Sequence, residues 1–206
     1  MLNLNNKNSI KNYFSISQSQ EIKFEKFIEE LVAYNKHTNL VGKSTLTDPW
    51  RSHILDCIQI SSFIEKKNSS ILDMGTGAGF PGLILAIMGY QKVCLIDSNK
   101  KKINFINSIC KKLHIKVNIF LNRIEKLNNK KYDFLTSRAL AKLNKLLTYS
   151  HNFTHKDTVL IFLKGKTVNE EIKEAKKYWF FKSKVQQSCS DERGKILIIK
   201  NLTLKK

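Results

Sequence analysis

The segment Asp73-Met74-Gly75-Thr76-Gly77-Ala78-Gly79-Phe80-Pro81-Gly82 follows the apolar residues Ile71 and Leu72 and places four glycines just after an acid. Glycine is needed where the backbone takes φ > 0 or where a ligand lies almost on the main chain, so a turn this rich in glycine suits a nucleotide-type cofactor. Leu83 to Met88 is apolar with good helix formers and Gly89 stops the run, so the turn opens a helix. Lys92 to Asp97 then reads as a second buried strand ending in an acid. That carboxylate lies about twenty residues past the glycines, the offset at which it can take the ribose hydroxyls of a bound nucleoside. The two acids and the glycine turn make a βαβ unit with both ends of a cofactor site.

Two ligand classes fit this spacing. Gly77, Gly79 and Gly82 satisfy the dinucleotide pattern G-x-G-x-x-G, while Asp73, Gly75, Gly77 and Gly79 satisfy D-x-G-x-G-x-G, which resembles Rossmann-like methyltransferases that use S-adenosylmethionine (SAM). A pyrophosphate wants bare amides and no nearby anion, whereas the sulfonium and ammonium groups of SAM favour a carboxylate such as Asp73. SAM is therefore the expected cofactor. The alternatives are a nicotinamide-dependent oxidoreductase on the same glycines and a non-enzymatic RNA-binding module in which the loop is vestigial.

The elements that must hold this loop can be read along the chain. Phe24, Phe27, Ile28 and Leu31 recur at helical spacing between about 20 and 34, leaving one apolar stripe to cover. A second helix is expected from Asp48 as cap and Pro49 in the first turn to about Phe63. After Asp97, Ile103, Ile106, Ile109, Cys110 and Leu113 mark a long helix whose other face carries lysines. Strands are expected at 117–121, 132–136 and 158–163, with a helix over 140–149 between the last two. Two further strands, 179–185 and 195–200, flank the turn 190–194 as an antiparallel pair on the sheet edge. This pattern predicts an α/β fold, a mostly parallel, doubly wound, seven-stranded sheet with a helical N-terminal extension. At 206 residues one domain is expected, with about 1–65 as the extension and about 66–206 as the core.

Composition narrows the partners. The chain carries 36 basic and 17 acidic side chains, a formal charge of +19, enough to hold a polyanion by counterion release. The abundance of Lys, Asn and Ile is also what AT-biased coding would produce. No apolar run approaches the roughly 20 residues of a membrane span, and Met1 to Lys11 has no signal-peptide core, so a cytoplasmic setting is expected. The cysteines Cys57, Cys94, Cys110 and Cys189 form no C-x-x-C pair. His151 and His155 stand four apart with no third ligand nearby, so no metal is expected.

Several segments carry a closer likeness. Arg51-Ser52-His53-Ile54-Leu55-Asp56, the glycine turn, Leu95-Ile96-Asp97-Ser98, Thr136-Ser137-Arg138-Ala139 and Leu163-Lys164-Gly165 occur in the order found in the bacterial RsmG (GidB) family, which the chain resembles from about residue 20 to its end. Members of that family are SAM-dependent methyltransferases that modify N7 of a guanosine in 16S ribosomal RNA. The resemblance implies SAM contacts at Gly75, Phe80, Ile124, Glu125 and Arg138, beside Asp73, Gly77 and Gly79 of the loop and Asp97 at the ribose. Each lies at or just beyond the carboxyl end of an expected strand, where an open α/β sheet forms its ligand crevice. Glu125 or the Ile124 amide would serve the adenine edge. Arg138 would orient the SAM carboxylate or reach the guanine or a flanking phosphate. On the substrate side, Arg51, His53 and Lys164 join Arg138, with His53 stacking on or hydrogen-bonding a base and Lys164 contacting phosphate. Guanine N7 has a lone pair and no proton to remove, so no catalytic acid or base is expected. The chain has no Pro-Cys and no Pro-Pro-Tyr, which removes two competing methyltransferase chemistries. The implied partner is 16S rRNA or the 30S particle, met by a monomer.

Overall fold

A computed structural model describes residues 8–205. Seven strands form one sheet in the order β3-β2-β1-β4-β5-β7-β6. They are β1 (Ser70–Met74), β2 (Lys92–Asp97), β3 (Asn118–Leu121), β4 (Phe134–Arg138), β5 (Val159–Lys164), β6 (Trp179–Gln187) and β7 (Lys195–Leu204). The first five are parallel, and β7 enters antiparallel between β5 and β6. Strand order reverses at β1, which pairs β2 on one side and β4 on the other, so the crevice of an open α/β sheet falls at the carboxyl ends of these strands.

The β1 side chains alternate faces. Ile71 joins the core under the N-terminal helices while Leu72 and Met74 join the opposite core, and the period-two pleat puts Asp73 on the Ile71 side. The helices are α1 (Asn8–Lys11), α2 (Gln18–Asn35), α3 (Asp56–Ile58), α4 (Gly82–Ile87), α5 (Lys100–Lys112), α6 (Leu143–His151) and α7 (Val168–Ala175). Helix α2 starts at a capping box in which Ser17 Oγ accepts from Gln20 N and Gln20 Oε1 accepts from Ser17 N. Its stripe of Phe24, Phe27, Ile28 and Leu31 is fully or almost fully buried, each side chain stabilising the fold by about 1.5–3 kcal/mol through burial. Phe27 packs edge-on to Phe80 and Phe105, tying the N-terminal segment to the glycine turn and to α5. One apolar core thus runs from Ile10 through α2 to the sheet.

The segment expected as one regular helix from Pro49 to Phe63 is composite. Asp48 caps it as expected, accepting from Arg51 N at 3.0 Å. The chain then winds as a π-helix over Trp50–Leu55, as α3, and as a 3-10 turn over Gln59–Phe63. A π turn is wider than an α turn and often occurs at functional sites. Here it buries Trp50 completely while Ser52, His53 and Asp56 meet a strand end. Helix α7 was not expected at all. Of its residues only Val168 and Ala175 are buried, too sparse a stripe for periodicity to reveal.

Candidate functional site

The glycine turn is built by its two flanking acids. Gly75, Gly77 and Gly79 have φ of +65°, +60° and +99°, values that side chains rarely adopt. Asp73 is fully buried, with Oδ2 accepting from Gly82 N and Oδ1 from Thr136 Oγ1, both at 2.9 Å. Burial pushes its pKa up to about 6 against the pull of these hydrogen bonds. Asp73 therefore differs from its expected place beside SAM: both oxygens face the chain, and the carboxylate fastens the turn to α4 and β4. Gly82 has no freedom for a side chain, since a Cβ would stand 2.7 Å from Asp73 Cβ.

Asp97 ends β2 and accepts from Gly77 N at 2.9 Å through Oδ2 and from Asn99 N at 2.8 Å through Oδ1. It is half-exposed, and each oxygen keeps a second lone pair for a ribose hydroxyl. Thr76, between Gly75 and Gly77, is buried, and its hydroxyl faces the Asp73 carboxylate, where its hydrogen bond helps hold down the pKa of that acid. The left-handed turn, open at Gly77 and with the Asp97 carboxylate bonded to its amide, fits a polar ligand laid on the main chain.

Gly75, Asp97, Asn122, Ile124, Glu125 and Leu140 line a cavity of about 80 Å3 at this end of the sheet. Ile124 and Glu125 belong to the 3-10 turn Ile124–Lys126 after β3, with Ile124 buried and Glu125 exposed. A Cβ on Gly75 would stand 2.5 Å from Leu140 Cδ1, so Leu140 lies over the glycine floor. Ala139 before it has φ +53°, a strained value for a residue with a side chain. Sequence reasoning missed Leu140, an exposed apolar residue in a loop.

Arg138 gathers Ser52, His53, Asp56 and Phe80 around it in one cluster. The Arg138 guanidinium donates through Nη1 to Ser52 O and Asp56 Oδ2, and through Nη2 to His53 Nδ1, each at 3.1 Å. It also lies 4.4 Å from the centre of the Phe80 ring, on which His53 stacks at 4.7 Å and 13°. Arginine only donates, so Nδ1 is the acceptor and the His53 proton sits on Nε2, 2.9 Å from Thr45 Oγ1. Burial, helped by the Arg138 charge, lowers the His53 pKa to about 3, so the ring is neutral. His53 is 3% exposed with both nitrogens and one face engaged, which leaves it no surface to stack on a substrate base. Its place is that of a wedge holding Arg138 and Phe80.

Lys164 also differs from expectation. Its Nζ lies 2.6 Å from Glu171 Oε2 and donates to Ala141 O, and its side chain is 9% exposed, so α7 neutralises it instead of a phosphate. The same Glu171 oxygen accepts from Leu143 N and so caps α6. Arg51 is exposed and donates through Nε to Ser190 O at 2.7 Å, joining the π-helix to the β6–β7 turn. His151 packs against Trp179, and His155 Nε2 lies 3.5 Å from Asp133 Oδ1.

A family model described as rRNA small subunit methyltransferase G matches residues 20–200. A protein named ribosomal RNA small subunit methyltransferase G from Orientia tsutsugamushi (strain Ikeda) is 37% identical over 187 residues, covering 91% of this chain and 93% of that protein. One of the same name from Rickettsia felis is 39% identical, covering 88% and 93%. Among solved structures, the ribosomal protein L11 methylase of Lactobacillus delbrueckii subsp. bulgaricus superposes with a TM-score of 0.60 at 17% identity, over 71% of this chain and 76% of that one.

Proposed function

The chain belongs to the rRNA small subunit methyltransferase G family, and we propose that it methylates N7 of a guanosine in 16S ribosomal RNA, with SAM as methyl donor. The observation that carries the cofactor is the left-handed glycine turn with Asp97 bonded to its Gly77 amide at the strand-order switch. Gly75, Gly77 and Gly79 would form the floor, Asp97 would take ribose hydroxyls, and the Ile124–Glu125 turn would meet the adenine. Phe80 and Arg138, held by His53 and Asp56, would bound the methionine end. Asp73 acts indirectly, by holding Gly82 and Thr136. Bound there, the cofactor supplies an electrophilic methyl group.

Guanine N7 offers an in-plane lone pair and carries no proton, so the acceptor requires alignment and no general base. The cluster's only imidazole is neutral, with both nitrogens occupied, which suits a site that orients rather than moves protons. The nicotinamide alternative loses its support in the sheet, because the antiparallel β7 between β5 and β6 departs from the all-parallel dinucleotide order. The substrate is RNA, free or within the small subunit, and the protein acts as a single-domain monomer in the cytoplasm. Among the described residues no helix is long and apolar enough to cross a membrane.

Titration calorimetry with SAM and NAD, followed by transfer of labelled methyl from SAM to undermethylated 16S RNA and 30S particles, tests this reading. SAM binding with transfer is the expected result. NAD binding would revive the oxidoreductase, and binding of RNA without SAM would leave an RNA-binding module.

A further inference from the structure

A second cavity, a cleft of about 870 Å3, opens beside the cofactor crevice between the ends of β4 and β5 and the β6–β7 turn. We infer that this cleft receives the acceptor guanosine as an unstacked nucleotide, with Lys166 and Arg193 on the flanking phosphates and the 188–194 turn as its fixed wall. The inference rests on the RNA methyltransferase reading and extends it to a surface.

The first support is adjacency. Arg138 and Ala139 line this cleft, while the next residue, Leu140, lines the small cavity over Gly75. Arg138, which would bound the methionine end of the cofactor, also lines this cleft, and the left-handed Ala139 at φ +53° carries the chain on to Leu140, so the cleft adjoins the end of the cofactor that carries the methyl group. A volume near 870 Å3 leaves room for one nucleotide unit, as does the basic cavity of about 910 Å3 at the opposite end of the sheet, so it is the position beside Arg138 that singles this cleft out.

The second support is how the turn is held. A surface turn is ordinarily mobile, yet this one is bolted to the N-terminal segment by buried polar groups. Gln59, Ser188 and Ser190 are 4%, 6% and 6% exposed. Gln59 Nε2 donates to Ser188 Oγ at 2.8 Å, Gln59 Oε1 accepts from Cys189 N at 2.9 Å, and Ser190 Oγ donates to Asp56 Oδ1 at 2.7 Å. Asp56 is also the partner of Arg138. One carboxylate therefore sets both the arginine between the two sites and the far wall of the cleft.

The third support is charge. Six cations line the cleft, Arg51, Arg138, Lys164, Lys166, Arg193 and Lys195, against Asp56, Glu171, Asp191 and Glu192. Asp56 and Glu171 are already paired with Arg138 and Lys164. Lys166 is exposed, and Arg193, with its side chain 81% exposed, has only 3.5 Å side-chain contacts to Asp191. Both are placed to meet phosphate at the rim.

The paired variants Lys166→Glu/Arg193→Glu and Lys182→Glu/Lys200→Glu change the net charge equally. The second pair lines a basic cavity at the amino ends of the strands, the opposite end of the sheet. Both pairs are assayed for SAM affinity by calorimetry, for methyl transfer to 30S particles and 16S RNA, and for the salt dependence of RNA binding. The cleft pair is expected to raise KM for RNA at least tenfold and to lower the salt slope by about one per lost phosphate contact, with SAM affinity unchanged. The distal pair is expected to move KM less than about threefold. Equal effects of the two pairs, or wild-type KM in the cleft pair, overturn the inference while transfer by the wild type upholds the function. Failure of the wild type to transfer to either RNA overturns both.

Discussion

His53 gives the chain an acid-sensitive joint whose size follows from its surroundings. The ring is buried, accepts from Arg138 and donates to Thr45, so protonation would place a second cation against the guanidinium with little solvent to screen it. Its folded pKa is about 3 against 6.5 in the unfolded chain. Below 6.5 the unfolded chain therefore binds a proton that the folded chain refuses, and stability falls as pH drops from 6.5 toward 3. Between pH 7 and 5 this one group removes about 2 kcal/mol, from 1.36 kcal/mol for each pH unit below 6.5. Asp73 works the other way. Its folded pKa of about 6 exceeds the ordinary 3.8, so the folded chain binds the proton more tightly and acidification between about 6 and 4 stabilises it, by roughly 1 kcal/mol between pH 7 and 5. The His53 contribution is isolated by comparing wild type with His53→Gln, whose neutral amide can still accept from Arg138 and donate to Thr45. Urea unfolding at pH 7, 6 and 5 should show the variant losing about 2 kcal/mol less than wild type across that range, whatever its stability at pH 7. Parallel pH profiles would refute the buried neutral imidazole.

The glycines of the turn divide by what surrounds them. Gly82→Ala drives a Cβ against Leu95 and Asp73 in the buried core, and should cost about 3 kcal/mol or more in chemical denaturation. Gly77→Ala meets nothing closer than 3.9 Å, so it should cost only the about 1–2 kcal/mol of left-handed strain while weakening SAM in calorimetry. Glu171→Ala strands the nearly buried Lys164 and uncaps α6, and should lower stability by about 2–3 kcal/mol. Arg138→Ala should lower methyl transfer at least tenfold in a protein that still folds. Full activity there would reduce the cluster around it to scaffolding.

The strand ends were legible because parallel strands buried on both faces are continuous apolar runs, and because the glycine turn and Asp97 stand at fixed offsets from them. The partners of the site residues were not. Arg138, His53 and Asp56 meet across more than eighty residues of chain, through a π turn that has no period of its own to read. Asp73 looks like a cofactor ligand by spacing, but the pleat turns it inward onto Gly82. Lys164 shows the limit of reading lysines in a basic chain, since its partner Glu171 lies on a helix too polar to be recognised by pattern. The Gln59–Ser188–Ser190 lock joins residues about 130 positions apart whose types carry no signature.

The central claim, methylation at N7 of guanosine, is tested most directly by locating the methyl group in the product. Undermethylated 30S particles are incubated with the protein and labelled SAM, and the extracted 16S RNA is treated with borohydride and aniline, which cleave the chain at 7-methylguanosine. The account predicts label at one guanosine and strand scission at that nucleotide. Label that resists scission, placing the methyl on an exocyclic amine, a pyrimidine carbon or a ribose hydroxyl, would contradict it.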